Sequence, residues 1–327
     1  MLTIFTTGKA FEGHSGVIQR NALKSWTRLD ADVEVILFGD EAGAGEAARE
    51  LGVRHEAHVE RNAAGLKRID YYFERAQEIA RHEILCYVNC DILLMEDFRA
   101  AVKRVAAARR EFLMVGRRWD VEMAEAIDFG AKDWAEKVRG KVRAEGQARD
   151  QWWIDYFVFS KGLYRGKIPG LVVGRVYWDN WLIWRAWKDG AAVVDGSEAV
   201  CAVHQNHGYG YHPQGEQGVW TDEQARRNFQ LAGGYGNLRT IDSANWKLTE
   251  RGVERNRWYW TAHWRNTVNR KVKPARTFLR TRVWHPLLGW TRPMRHAVGL
   301  KKAAVVAPGS GALKAGSAEE KETRSRA

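Results

Sequence analysis

The stretch Ile84-Leu85-Cys86-Tyr87-Val88-Asn89-Cys90-Asp91-Ile92-Leu93-Leu94 sets a single carboxylate between two uncharged, mostly apolar runs. The first run, Ile84–Val88, reads as a buried strand. An ionised aspartate in such a setting is costly to bury alone, so Asp91 needs a cation, a hydrogen-bond network or solvent at the strand end. Asn89 and Asp91 are two residues apart and project to the same side of an extended chain. Two side-chain oxygens placed side by side suit a hard divalent cation, Mg²⁺ or Mn²⁺. The alternative reading is an aspartate that caps the turn after a strand.

On either side of this stretch the chain alternates. Leu2–Thr7 and Val33–Phe38 read as strands, a third lies near Val53–His58, and Phe112–Gly116 is another. Between them the spacing predicts helices from an N-cap at Ser15 to about Leu29, around Ala44–Leu51, over Lys67–Arg81 and over Asp97–Arg109. Strands alternating with helical segments predict an α/β fold, a mostly parallel sheet wound with helices. Ligands bind such sheets beyond the carboxyl ends of the strands. Four ends are therefore candidates: Thr6-Thr7, Gly39-Asp40, Asn89-Cys90-Asp91 and Arg117-Arg118. Residues Thr6–Gly16 hold neither a dinucleotide fingerprint nor a P-loop, which argues against an NAD enzyme and a P-loop kinase.

Composition sets the wider bounds. The 327 residues are 45% hydrophobic and 28% charged, which supplies a core and argues against global disorder. No stretch has the length of uncharged apolar chain that a membrane span needs. The opening Leu2-Thr3-Ile4-Phe5 does not read as a signal peptide, and the three cysteines, Cys86, Cys90 and Cys201, make no disulfide framework. A cytoplasmic protein with reduced thiols is expected.

The formal net charge is +12, and its location matters more than its size. From Arg255 to Ala318 there are fourteen Lys or Arg and no Asp or Glu, and the last nine residues cancel, so residues 1–254 carry a net −2. The expected organisation is a body over 1–254, a basic, tryptophan-rich extension over 255–305, and a disordered tail over 306–327. Basic residues among tryptophans suit a solvated face, an anionic membrane surface or a nucleic acid. Of the two ligands the membrane is favoured, because the body carries no nucleic-acid module.

An apolar strand followed by Asn-x-Asp and then Ile-Leu-Leu resembles the metal and diphosphate site of GT-A-fold glycosyltransferases. More specifically, residues 1–215 resemble a bacterial GT-A-like group in Gln19-Arg20-Asn21-Ala22 with Ser25-Trp26, Val88-Asn89-Cys90-Asp91-Ile92 and Gly116-Arg117-Arg118-Trp119-Asp120. Asp155-Tyr156-Phe157, Trp178-Asp179-Asn180-Trp181 and His204-Gln205-Asn206-His207 complete the set. The chain departs from the common two-acid signature, since Asn89 stands in place of the first carboxylate. The resemblance implies a Rossmann-like catalytic domain that moves a hexose-like sugar from a nucleotide-sugar donor to a glycan, lipid-linked or other hydroxyl acceptor, in cell-surface polysaccharide synthesis. It implies Mn²⁺ or Mg²⁺ at Asp91, with Asn89 and one of His204 and His207 completing the site. It further implies base and ribose contacts from Thr6, Thr7 and Asp40, with Arg20 near the phosphates.

The remaining constellations keep their alternatives. Arg117 and Arg118 stand at a strand end, where a guanidinium suits a phosphate, or a salt bridge to Asp120 or Asp128. The histidines, with His212 and Cys201, also allow a zinc site. The resemblance implies Asp179 as the first candidate for the base of an inverting transfer and Asp155 as the second, although Asp179 or Asn180 is also a natural helix N-cap. Trp152, Trp153, Tyr156, Phe157, Tyr177, Trp178, Trp181 and Trp184 could stack on sugar faces, although Trp181 and Trp184, three apart, read rather as core. Residues 128–151 read as an exposed helix or a flap. Two rivals stand beside the transferase: a nucleotidyltransferase, and a non-catalytic protein that binds anionic lipid or nucleic acid through its tail.

Overall fold

In the computed structural model, residues 1–208, 215–259 and 261 are described. The elements run β1 (Leu2–Thr7), α1 (Gly13–Thr27), β2 (Val33–Phe38), α2 (Ala44–Leu51), β3 (Arg54–Glu56), α3 (Ile69–Ile79), β4 (Ile84–Val88) and β5 (Ile92–Leu93). There follow α4 (Glu96–Ala108), β6 (Phe112–Val115), β7 (Arg118–Val121), α5 (Trp134–Glu145), β8 (Gln147–Ala148), β9 (Tyr156–Ser160) and α6 (Trp178–Lys188). Last come β10 (Ala192–Asp195), β11 (Ala202–Gln205), α7 (Gly215–Thr221), α8 (Glu223–Leu231), β12 (Trp246–Thr249) and β13 (Gly252–Arg255).

Nine strands form one sheet in the order β13-β12-β10-β6-β9-β4-β1-β2-β3. It is mostly parallel, as expected, with β9 running antiparallel between β4 and β6, and β13 antiparallel to β12. Successive side chains divide between its two faces. Leu2, Ile4, Cys86 and Val88 pack with Trp26 of α1 and Phe98 of α4, while Phe5, Leu85 and Tyr87 pack with Phe73 of α3 and Leu182 of α6. Burial on both faces is why β4 reads as an unbroken apolar run and why β1, with its three threonines, carries no charge. On the second face Phe73 stacks on Phe159 with centroids 5.4 Å apart, and Phe5 meets Phe73 edge-on at 5.1 Å. Trp181 and Trp184 belong to this core, as their spacing predicts.

A second sheet, β5-β11-β7-β8, carries the site. Its strands have two to four residues each, too short to register as periodic runs. Residues 128–151 are not a flap: they hold α5, whose Trp134, Ala135, Val138 and Val142 are buried against Leu93 and Val121. Ser15 lies inside α1 rather than at its N-cap, which is Glu12. The body also runs past residue 254, since β13 ends at Arg255 and the hydroxyl of buried Tyr259 bonds Trp187 Nε1. The rest of the basic extension and the tail lie outside the described residues. Among the described residues no helix is long and apolar enough to cross a membrane.

Candidate functional site

The turn after β4 brings Asp91 under β11. Gln205, on β11, donates its backbone N–H to the Asp91 carbonyl at 3.1 Å, and its side-chain amide bonds both that carbonyl and Ile18 O. Asn21 of α1 donates to Gln205 Oε1 at 3.0 Å, and Trp26 Nε1 donates to Ile92 O at 2.9 Å. Asn21 and Trp26, together with Ser25 Oγ, which accepts from Leu94 N at 3.2 Å, therefore lock the strand-end turn to α1. Gln19 does the same for the loop after β1, with its Oε1 accepting from Lys9 N at 2.6 Å.

This lock places His204 and His207 over Asp91. His207 Nε2 lies 2.9 Å from Asp91 Oδ2 and His204 Nε2 lies 3.8 Å from it. One ligand atom from each of the three residues falls within 4.8 Å of the others. Burial pushes the Asp91 carboxyl up, but the His207 hydrogen bond and the charges of His204, His207 and Lys9 outweigh it and hold the group well below the usual carboxylate range. Asp91 Oδ1 is shut off from solvent and has no hydrogen-bond partner among the described residues. A buried carboxylate oxygen without a partner is costly, and a bound cation would satisfy it. The residues therefore fit a divalent ion. Cys201 is not in this cluster, and His212 lies outside the described residues, so the histidine and carboxylate ligands alone define the set.

A chain of buried charges runs from the cluster into the large sheet. His204 Nδ1 lies 3.2 Å from Asp120 Oδ1, Arg118 donates to Asp120 at 2.8 Å and to Asp155 at 2.9 Å, and Arg149 donates to Asp120 at 2.6 Å. Burial pushes the Asp120 carboxyl up, but His204 and the two guanidinium groups hold it well below the usual range. The β4–β9 register sets Asn89 opposite Asp155, and Asn89 Nδ2 donates to Asp155 Oδ1 at 2.6 Å. The Asn89 amide thus faces Asp155.

Asn89, Asp91, Arg118, Asp155, His204 and His207 line a cavity of about 420 Å³, with Asp120 and Arg149 behind its wall. Of the expected site residues it gathers Thr7, Asn89, Asp91, Arg118, Asp155, Asp179, His204 and His207. Thr6, Arg20, Asp40 and Arg117 do not line it. Thr6 spends its hydroxyl on Val88 O, Arg20 bonds Glu50 and Phe11 O, Asp40 is exposed and paired with Arg61, and Arg117 sits beside Ser197. Alternation along β1 turns Thr6 and Thr7 to opposite faces, which separates the pair.

Sequence reasoning missed Lys9, Glu41, Lys67 and Arg175, all in the cavity wall. Lys67 is buried, and its ammonium meets Thr7 Oγ1, Gly8 O and Glu41 Oε1 at 2.5–2.7 Å, which uses its three donors. It ties the loop after β1 to the loop after β2. Lys9 Nζ lies 3.4 Å from His207 Nδ1, and burial draws its ammonium down while Asp91 supports it.

Asp179 stands in the first turn of α6, not at its N-cap, which is Tyr177. Tyr177 has φ 83°, the one non-glycine left-handed residue among those described. Strain of that kind collects where a neighbouring side chain must be aimed. Burial pushes the Asp179 carboxyl up to about 7, nearby Asp155 adds to this, and backbone amides led by Asn180 offset only part. Its Oδ1 is closed to solvent and has no hydrogen-bond partner among the described residues.

No protein-family model and no curated protein matches the chain. Among solved structures it is similar to S. aureus TarS in complex with UDP, at 9% identity and a TM-score of 0.45 over 72% of this chain and 66% of that one. It is also similar to TarS in complex with UDP-GlcNAc, at 8% identity and a TM-score of 0.43 over 63% and 58% of the two chains. A third is M. tuberculosis glucosyl-3-phosphoglycerate synthase in complex with phosphoglyceric acid, at 12% identity and a TM-score of 0.43 over 72% and 80%. In two of the TarS structures the chain spans about 60% of the TarS length.

Proposed function

We propose that the chain is a metal-dependent, GT-A-like glycosyltransferase that moves a sugar from a nucleoside-diphosphate donor to a hydroxyl acceptor. The observation that carries this reading is the Asp91–His204–His207 cluster at a strand end, with Asp91 Oδ1 buried and without a hydrogen-bond partner among the described residues. Two imidazoles and one carboxylate suit Mn²⁺ better than Mg²⁺, which takes oxygen ligands. When bound, such an ion neutralises charge on the departing diphosphate. Lys9 adds a cation beside the same cluster and contributes to holding the phosphates.

In the same cavity Asp179 takes the proton from the acceptor hydroxyl. A carboxyl held near 7 is matched to that task at neutral pH. Asp155 is the weaker candidate, because both of its oxygens are already engaged, by Asn89 and by Arg118. With the proton on Asp179, the acceptor oxygen bonds the sugar carbon and the nucleoside diphosphate leaves with the electron pair. The test is donor turnover to water: the chain is incubated with UDP-, GDP-, CDP- and dTDP-sugars plus Mn²⁺, and the released nucleoside diphosphate is measured. Release from one class, abolished by chelator, supports the reading; release from none, in protein with a cooperative melt, overturns it.

A further inference from the structure

Five large hydrophobic side chains are exposed among the described residues, and two of them, Trp152 at 51% and Trp220 at 45%, line the site cavity. Exposed indole is unusual, and its gathering at one cavity marks a recognition surface. The two rings come from distant parts of the chain, the turn before β9 and helix α7. Trp153 joins them: its ring meets Trp220 edge-on with centroids 6.4 Å apart. Arg118 and Arg149 hold Trp153 in place, with guanidinium carbons 4.7 and 4.9 Å from its centroid. The Trp152 turn is fixed by its backbone N–H, which donates to Asp150 Oδ1 at 3.0 Å.

We infer that Trp152 and Trp220, backed by Trp153, form the acceptor platform and that it takes a neutral saccharide. The inference rests on the transferase reading, because Asp179 in the same cavity needs a hydroxyl brought to it. An indole face carries negative charge density and is met well by the polarised C–H face of a pyranose, whose hydroxyls stay at the wet edge. Charge selects the neutral class. Beside these rings Arg118 already faces Asp120 and Asp155, Arg149 faces Asp120, and Arg175 faces Asp222. An anionic acceptor would have to take a guanidinium from its carboxylate.

The test probes the full chain on an array of neutral and anionic oligosaccharides, with nucleoside diphosphate binding in Mn²⁺ measured separately. Expected are signals on neutral glycans that fall roughly tenfold or more in Trp152→Ala/Trp220→Ala. Trp152→Phe/Trp220→Phe should restore part of them, and each variant's melt reports its fold. Signals confined to anionic glycans, no glycan signal, or neutral signals that the alanine pair retains overturn the platform. Nucleoside diphosphate binding with no neutral-glycan binding sinks the platform and leaves the donor reading standing. Neutral-glycan binding without nucleotide binding does the reverse.

Discussion

Replacing Asp179 by asparagine should make the protein more stable and less active at neutral pH. The Asp179 carboxyl is raised by burial from its ordinary 3.8 to about 7, so folding opposes its ionisation. At roughly 1.4 kcal/mol per pH unit, the full penalty for the ionised form is about 4 kcal/mol. Residual solvent access and relaxation around the side chain reduce this, and about 2 kcal/mol is a fair expectation. The sign follows from linkage. Below pH 4 the carboxyl is protonated folded and unfolded alike, so it costs nothing. Between 4 and about 7 the unfolded chain ionises first and stability falls, and above 7 the loss is complete. Asparagine is neutral throughout, so Asp179→Asn should melt at about the wild-type temperature near pH 4. Near pH 8 it should melt about 4–8 °C higher, at 2–4 °C per kcal/mol. Over the same range turnover should drop about 10²–10⁴-fold, as loss of a general base does. The assay is paired thermal melts from pH 4 to 8.5 with single-donor kinetics. A melting difference that does not change with pH, or a variant less stable at pH 8, would refute the account of Asp179.

Four further outcomes are expected. Asp91→Ala should remove Mn²⁺ binding and the metal-dependent part of nucleoside diphosphate affinity while keeping a cooperative melt, checked by calorimetry and circular dichroism. Lys9→Met should weaken a nucleoside diphosphate about tenfold and a nucleoside far less, since only the former brings phosphates to the cluster; equal losses would move Lys9 off the phosphates. Arg118→Met should destabilise by about 3–5 kcal/mol in denaturant titration, because it leaves the buried Asp120 and Asp155 without the cation that faces both. Removing residues 272–327 should leave nucleoside diphosphate affinity within twofold, whereas a tail-driven binder would lose its main activity.

The large sheet was legible because its inner strands are buried on both faces. Leu2–Thr7, Val33–Phe38 and Ile84–Val88 have the predicted limits, since an apolar run ends where burial ends. The third strand came out shorter, at Arg54–Glu56, because it is a sheet edge with one neighbour. Nothing local announced that β9 runs antiparallel or that β5, β7, β8 and β11 form a second sheet. Those facts lie in pairings between distant segments, such as Val203 with Leu93. The same holds for the site. Asp91 stood out because a lone carboxylate interrupts an apolar run, and Asp179 because an acid opens a helix. The Arg118–Asp120 salt bridge was legible because the two stand two apart on one strand, whereas Lys9, Lys67 and Arg175 could not stand out, since a single charged residue carries no pattern until the fold sets it beside its partner. Thr6, Arg20, Asp40 and Arg117 were placed by chain position alone, and side-chain direction took them elsewhere.

Calorimetric titration of the full chain with UDP, GDP, CDP and dTDP, each with Mn²⁺ and again with chelator, tests the metal-dependent donor site most directly. The account predicts binding of one nucleoside diphosphate that disappears with chelator and in Asp91→Ala. Binding that survives both, or no binding by folded protein, would contradict it.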